Sequence, residues 1–178
     1  MKPVIKDFGS HAPADLYALF QGIYSSSDTM VETLAEKYPA FDDFASDMQM
    51  LVHQPGAIAL VAELEQKCVA YLTLRPRKQV KLAHTADLNM GVAQTARGQG
   101  LGSVLLKTAL DAASCALELE IIYLMVRADN IAAVRLYESV GFEKMALLQR
   151  DTKIGTTYFD GLLMRRFIDR PGMSAQAG

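Results

Sequence analysis

The stretch Val92-Ala93-Gln94-Thr95-Ala96-Arg97-Gly98-Gln99-Gly100-Leu101-Gly102 joins an apolar run, Ala86 to Val92, to a segment of helical periodicity. Downstream, Leu101, Val104, Leu105, Thr108, Ala112, Cys115, Ala116 and Leu119 recur at helical spacing and predict one buried face. The glycines therefore fall at a helix N-terminus, where the first N–H groups lack intrahelical partners and the helix dipole is positive. Such a junction suits an anion, pyrophosphate above all, held by backbone that a side chain would otherwise screen. A glycine cluster is also a common tight connection, so its spacing has to discriminate. No Lys-Ser or Lys-Thr follows the last glycine, which removes the P-loop reading. The dinucleotide fingerprint G-x-G-x-x-G fails too: the chain has Gly98-x-Gly100-x-Gly102, and no acidic residue ends the next strand, Ile121 to Arg127.

Arg97-Gly98-Gln99-Gly100-Leu101-Gly102 instead resembles the R/Q-x-x-G-x-G/A signature of the GNAT acetyltransferases. Further along, Asn130-Ile131-Ala132-Ala133-Val134-Arg135-Leu136-Tyr137-Glu138-Ser139-Val140-Gly141-Phe142 is similar to that family's N-x-x-A-x-x-L-Y-E-x-x-G-F segment, in the order its β-α-β-α layout requires. The resemblance runs from Ile58 to Phe167. One departure is Gln94, where many relatives carry proline, a change in loop stiffness rather than in the anion site. The resemblance implies an α/β GNAT fold: a single mixed, mostly antiparallel sheet flanked by helices, with a splayed parallel strand pair at the acyl-CoA site. It implies acetyl-CoA as cosubstrate, direct attack in a ternary complex, no metal, and it allows a homodimer.

Site residues follow from the same resemblance. The strand would splay at Met90, Gly91 and Val92 and offer main chain to pantetheine, with the Val92 N–H meeting the acetyl carbonyl as an oxyanion donor. Gly91 fits a splayed or bulged strand. Arg97, Gly98, Gln99, Gly100, Leu101, Gly102 and Ser103 would hold the pyrophosphate, and Asn130, Ala133 and Tyr137 would complete the cosubstrate site. Tyr137 would face the coenzyme sulfur as general acid; the plainer reading is a core tyrosine sharing a helical face with Val134. Asn130 serves equally as a helix N-cap, a role compatible with reaching pantetheine. Lys107 and Arg135 read as solvated helix faces.

Acetyl transfer to an amine of pKa ~10 needs a route for the ammonium proton. Asp87 stands on the strand before the glycine loop, where many relatives carry glutamate, and is the leading base, directly or through water. Its alternative is a solvated or salt-bridged strand residue, though aspartate forms strands poorly. His84 titrates in the useful range and is the second choice; a lone histidine near a strand start is more often exposed or hydrogen-bonded.

Composition agrees. At 178 residues, 51% hydrophobic and 21% charged, the chain is sized for a single domain, placed at 1–169, with 170–178 as a mobile tail. A net charge of −2 without Lys/Arg runs argues against a nucleic-acid surface. Cys68 and Cys115 fall inside elements with no second pair for a metal site, and are expected as buried core thiols. Neither a secretory nor a transit pattern opens the sequence and no stretch approaches a membrane span, so a cytoplasmic protein is expected.

The remaining elements read as an opening strand, Pro3 to Phe8, and a helix on Leu16, Leu19, Phe20 and Ile23. Two helical patterns separated by Pro39 come next, Val31-Leu34-Tyr38 and Phe41-Phe44-Ala45-Met48-Leu51. A hairpin spans Ala57 to Leu64 and Lys67 to Arg75, and a strand runs Ala83 to Ala93. Ile121 to Val126 lacks alternation, as for a strand covered on both faces. The helix Asn130 to Val140 ends at Gly141, and strands Glu143 to Arg150 and Thr156 to Phe167 close the sheet. His84-Thr85-Ala86-Asp87 and Tyr158-Phe159-Asp160-Gly161 look similar to the branch acting on amino acids and other small amines. A small-molecule primary amine is thus the expected acceptor, a protein or peptide N-terminus the runner-up, and a non-catalytic acyl-CoA-binding module the third reading.

Overall fold

The computed structural model describes residues 2–115 and 119–169. Seven strands form one sheet in the order β1-β2-β3-β4-β5-β7-β6. They are β1 (Val4–Asp7), β2 (Ile58–Leu64), β3 (Lys67–Pro76), β4 (Thr85–Val92), β5 (Ile121–Arg127), β6 (Glu143–Ile154) and β7 (Thr157–Phe167). All neighbours pair antiparallel except β4 and β5, which run parallel. The mixed, mostly antiparallel sheet expected from the sequence is the one observed. The expected tail, 170–178, lies outside the described residues, as does Ala116. Among the described residues no helix is long and apolar enough to cross a membrane.

Five helices flank the sheet: α1 (Pro13–Ser25), α2 (Leu34–Lys37), α3 (Phe41–His53), α4 (Leu101–Cys115) and α5 (Ile131–Ser139). Pro39 separates α2 from α3 as predicted, but α2 is only a single turn held by a capping box between Thr33 and Glu36. One face of the sheet carries α4 and α5 over Leu72, Leu74, Ala86, Leu88, Ile122 and Leu124. The other carries α1 and α3 over an aromatic layer of Phe8, Phe20, Tyr24, Tyr38, Phe44 and Tyr71. Phe20 stacks on Tyr71 with ring centroids 4.0 Å apart.

Three readings are corrected. The buried face of α4 is Leu101, Leu105, Leu106, Ala109 and Ala113, whereas Val104 is 39% exposed and Ala112 is exposed. Leu101 begins the correct stripe, but the i, i+4 series continues through Ala109 and Ala113, small residues that sit close to the sheet. Strand β5 does alternate: Ile122, Leu124 and Val126 are buried while Met125 is 45% exposed. An apolar side chain stands open because no helix covers that end of the α1-side face. Cys115 is exposed at the end of α4 and Cys68 is half-buried, so neither is a fully buried core thiol.

Candidate active site

The parallel pairing of β4 and β5 is short. Thr85, Ala86 and Asp87 match Ile121, Ile122 and Tyr123, and beyond that point the strands part into a fork. Strand β4 stays in unbroken register with β3, from Pro76↔Ala86 to Ala70↔Val92, so β4 contains no bulge there. Ala93 donates to the Val69 carbonyl at 2.8 Å, fixing Val69 and Ala93 as a hydrogen-bonded pair. By antiparallel alternation Tyr71–Gly91, Thr73–Asn89 and Arg75–Asp87 are hydrogen-bonded pairs too. Leu88, Met90 and Val92 therefore turn their N–H and C=O groups toward the fork. The Val92 carbonyl accepts from Arg97 Nε at 3.2 Å, which folds Arg97 back on the strand while its two Nη groups make no bond among the described residues.

Gly91 has a different origin from the bulge expected. A Cβ there would lie 2.7 Å from Ile23 Cγ2 and 2.9 Å from Tyr71 Cε1, so α1 and the aromatic layer close directly on this backbone. Close approach, not strand irregularity, demands the glycine.

At the fork's mouth the chain turns through Gly98 and Gly100, both at φ +76°, into α4. These left-handed positions swing the backbone so that the N–H groups from Gly98 through Ser103 donate to no acceptor among the described residues. That row of bare donors at the positive end of α4 is an anion cradle. The Cβ of a residue at Gly102 would meet Leu136 Cδ2 at 2.8 Å and Met90 Cε at 3.2 Å, so β4, α4 and α5 converge beside it.

Helix α5 supplies Tyr137. Asn130 caps the helix, its Oδ1 accepting from the Ala133 N–H at 3.3 Å, and Gly141 at φ +88° ends it. Tyr137 is 8% exposed and packs edge-on against Phe142. Its hydroxyl makes no hydrogen bond among the described residues. Burial pushes its phenol up to about 12, so it remains a proton carrier at any working pH.

The opposite face of the fork carries polar groups at period two. Asp87, Asn89 and Gly91 share the face of Tyr71, Thr73 and Arg75 on β3. Asp87 sits at the last paired position, its carboxylate held through both oxygens by Arg77, Nε to Oδ2 at 3.0 Å and Nη2 to Oδ1 at 2.7 Å. Arg77 in turn lies over the Tyr123 ring. The Asp87 side chain is 58% exposed, leaving room for a further donor on each oxygen. Tyr71 donates to Asn89 Oδ1 at 2.7 Å, and burial, with the neighbouring Tyr24 hydroxyl, pushes its phenol well above the ordinary range. At the far end of β5, Arg127 is buried, paired with Asp129, donates to the Asp28 carbonyl at 2.7 Å and stacks on Phe159. It pins the α1–α2 loop over the fork.

The structure thus brings together Asp87, Met90 to Val92, the glycine loop, Asn130, Ala133 and Tyr137. His84 is not among them: it precedes Thr85, on the closed side of the fork, where its carbonyl accepts from the Glu120 and Ile121 N–H groups. Lys107 and Arg135 are exposed, as expected. Sequence reasoning missed Arg77, Asn89, Tyr71 and Arg127. Asn89 was within reach, since Asp87-x-Asn89-x-Gly91 repeats at strand period and so shares one face with the candidate base.

A forked sheet with a backbone anion cradle and a buried phenol on the adjoining helix is suited to a phosphate-bearing ligand with a proton carrier beside it. Residues 15–142 match the model of the acetyltransferase (GNAT) family. The chain belongs to that family and is an acetyl-CoA-dependent N-acetyltransferase. It is 24% identical over 156 residues to the L-amino acid N-acetyltransferase AaaT of Escherichia coli, covering 88% of this chain and 94% of that protein. It is 39% identical over 77 residues to the N-alpha-acetyltransferase RimI of Mycobacterium tuberculosis, covering 43% of this chain and 45% of the relative. In structure it is similar to YncA of Salmonella typhimurium, solved with acetyl-CoA, with a TM-score of 0.81, 19% identity and coverage of 99% of this chain and all of the other.

Proposed function

We propose that the acceptor is the primary amine of a small molecule, an amino acid or a related amine, and that it attacks the thioester directly in a ternary complex. The observation that carries this reading is the two-sided fork, in which donor-side and acceptor-side groups meet only where β4 and β5 part. The row of N–H groups from Gly98 to Ser103 binds the pyrophosphate, and the edge of Met90 and Val92 binds the pantetheine arm. Val92 N–H meets the acetyl carbonyl oxygen as negative charge develops there. Tyr137 gives its proton to the departing thiolate. From the other face, the free lone pairs of the Asp87 carboxylate anchor the ammonium and take its proton, directly or through one water. Arg77 holds that carboxylate in place.

The relation to AaaT supports the small-amine acceptor because it extends over 88% of this chain and 94% of that protein. The relation to RimI favours a second reading, acetylation of a peptide N-terminus, but extends over less than half of the chain. Thiol release from acetyl-CoA across a panel of L-amino acids, polyamines and short peptides separates the two. Turnover on amino acids with peptides inert supports the proposal; turnover on peptides alone transfers it to the second reading.

A further inference from the structure

Away from the fork, at the β1–β2–β3 end of the sheet, His11, Glu63 and Cys68 converge on the α1 side. One donor atom from each lies within 4.8 Å of the others. A bulge creates the arrangement: the β2–β3 register slips between Ala62 and Glu63, so Cys68 pairs with Glu63 and joins the α1-side layer rather than the α4 side. His11 arrives from the turn before α1. Its ring is almost fully enclosed, with 7% side-chain exposure, and Glu63 is 11% exposed.

The imidazole is held by oxygen on both sides. Nδ1 lies 3.2 Å from the Asp7 carbonyl and Nε2 2.7 Å from Glu63 Oε1. A carbonyl and a carboxylate only accept, and a neutral imidazole has a single N–H. As the side chains stand, the second contact requires a second ring proton, and a metal ion fits between Nε2 and Oε1 once they part from 2.7 Å. A ring nitrogen whose partner nitrogen donates to a backbone carbonyl is the usual orientation of a metal-bound histidine. Lys6 takes only the other oxygen of Glu63, at 2.8 Å. Metal binding would displace the thiol proton, and Glu63 and the Cys68 thiolate would then face the cation with Lys6 as the opposing charge.

We propose that His11, Glu63 and Cys68 form a zinc-type site, with one imidazole nitrogen, one carboxylate oxygen and one thiolate as ligands and a fourth position open to water. Tetrahedral zinc sets such ligands about 3.3–3.6 Å apart, so small side-chain rotations suffice. The ion would pin the start of α1 to the β2–β3 hairpin without entering acetyl transfer.

Cobalt(II) added to the chelator-dialysed full chain tests this, read by the thiolate-to-cobalt charge-transfer and d–d bands. The expected result is one equivalent bound, bands displaced by Zn²⁺, and a melting temperature raised by Zn²⁺. Cys68→Ser should abolish the charge-transfer band and His11→Gln should weaken binding on the order of 100-fold. Cys115→Ser should leave both unchanged. Absence of the bands in the wild-type chain, or their loss in Cys115→Ser but not in Cys68→Ser, overturns the site and leaves His11 and Glu63 as a plain ion pair. Either outcome is independent of acetyl-CoA binding and of the acceptor.

Discussion

Tyr71 and Asn89 face each other across β3 and β4, the phenol donating a 2.7 Å hydrogen bond to the amide oxygen. Tyr71 is fully enclosed and stacked on Phe20, so it fixes Asn89 beside Asp87 on the acceptor face of the fork. Removing the hydroxyl in Tyr71→Phe should cost about 0.5–1.5 kcal/mol of stability, since the exposed Asn89 can turn to water for its lost partner. The KM for the amine should rise while the Kd for acetyl-CoA stays the same. An unchanged amine KM would detach Asn89 from acceptor binding.

Tyr137→Phe should lower kcat by ~10²-fold or more with acetyl-CoA affinity retained, because only the proton given to the thiolate is lost. Wild-type turnover should show no alkaline fall from this group below about pH 11, as its phenol is pushed up to about 12. A full-rate Phe variant would remove Tyr137 as the acid.

The same burial makes the fold sensitive to strong alkali. Tyr137 holds its proton in the folded chain beyond the pH at which an unfolded phenol, near 10, releases it. Folded protein then binds more protons than unfolded, and stability falls as pH rises from about 10 to about 12, by roughly 2–3 kcal/mol for this residue. Tyr71 and Tyr38, raised by burial, act in the same direction. Urea titrations at pH 8 and pH 11 measure the difference; equal midpoints would contradict it.

Asp87→Asn should reduce kcat/KM by ~10²-fold or more. Arg77→Gln leaves the carboxylate in place but frees it to rotate, so a smaller loss, divided between KM and kcat, is expected. If Asp87→Asn keeps the wild-type kcat/KM, proton removal belongs to water.

Two glycine substitutions should separate packing from binding. Gly91→Ala presses on Ile23 and Tyr71 and should destabilise by about 1–3 kcal/mol. Gly100→Ala meets no neighbouring atom but is strained at φ +76°, at about 1–2 kcal/mol, and should weaken CoA binding. Melting temperature and CoA titration together assign each effect.

The donor half of the site was readable because it is local: Arg97 to Gly102 and Asn130 to Phe142 are contiguous, and backbone conformation follows from glycine spacing. The acceptor half depends on pairing across strands. Nothing in the sequence links Arg77 to Asp87 or Tyr71 to Asn89 until β3 and β4 are set in register. The phase of α4 was misjudged because alanine scores as apolar at every position, so Ala112 and Ala113 compete for the same stripe. The open face of β5 was hidden for a similar reason, since Met125 looks like core until the helices above it are placed.

Among the described residues the β4–β5 ladder runs just from Thr85 to Asp87 and Ile121 to Tyr123, with the His84 carbonyl accepting from Glu120 and Ile121 at its start, so the sheet is nearly two sheets meeting at a seam. A molecule lodged along that seam does the work of the absent ladder. Cosubstrate saturation should then act as mortar: at a hundred times its Kd, ligand binding adds ~2.7 kcal/mol to the folded state. The endurance of this protein against heat or proteolysis thus becomes a gauge of how much acyl donor surrounds it.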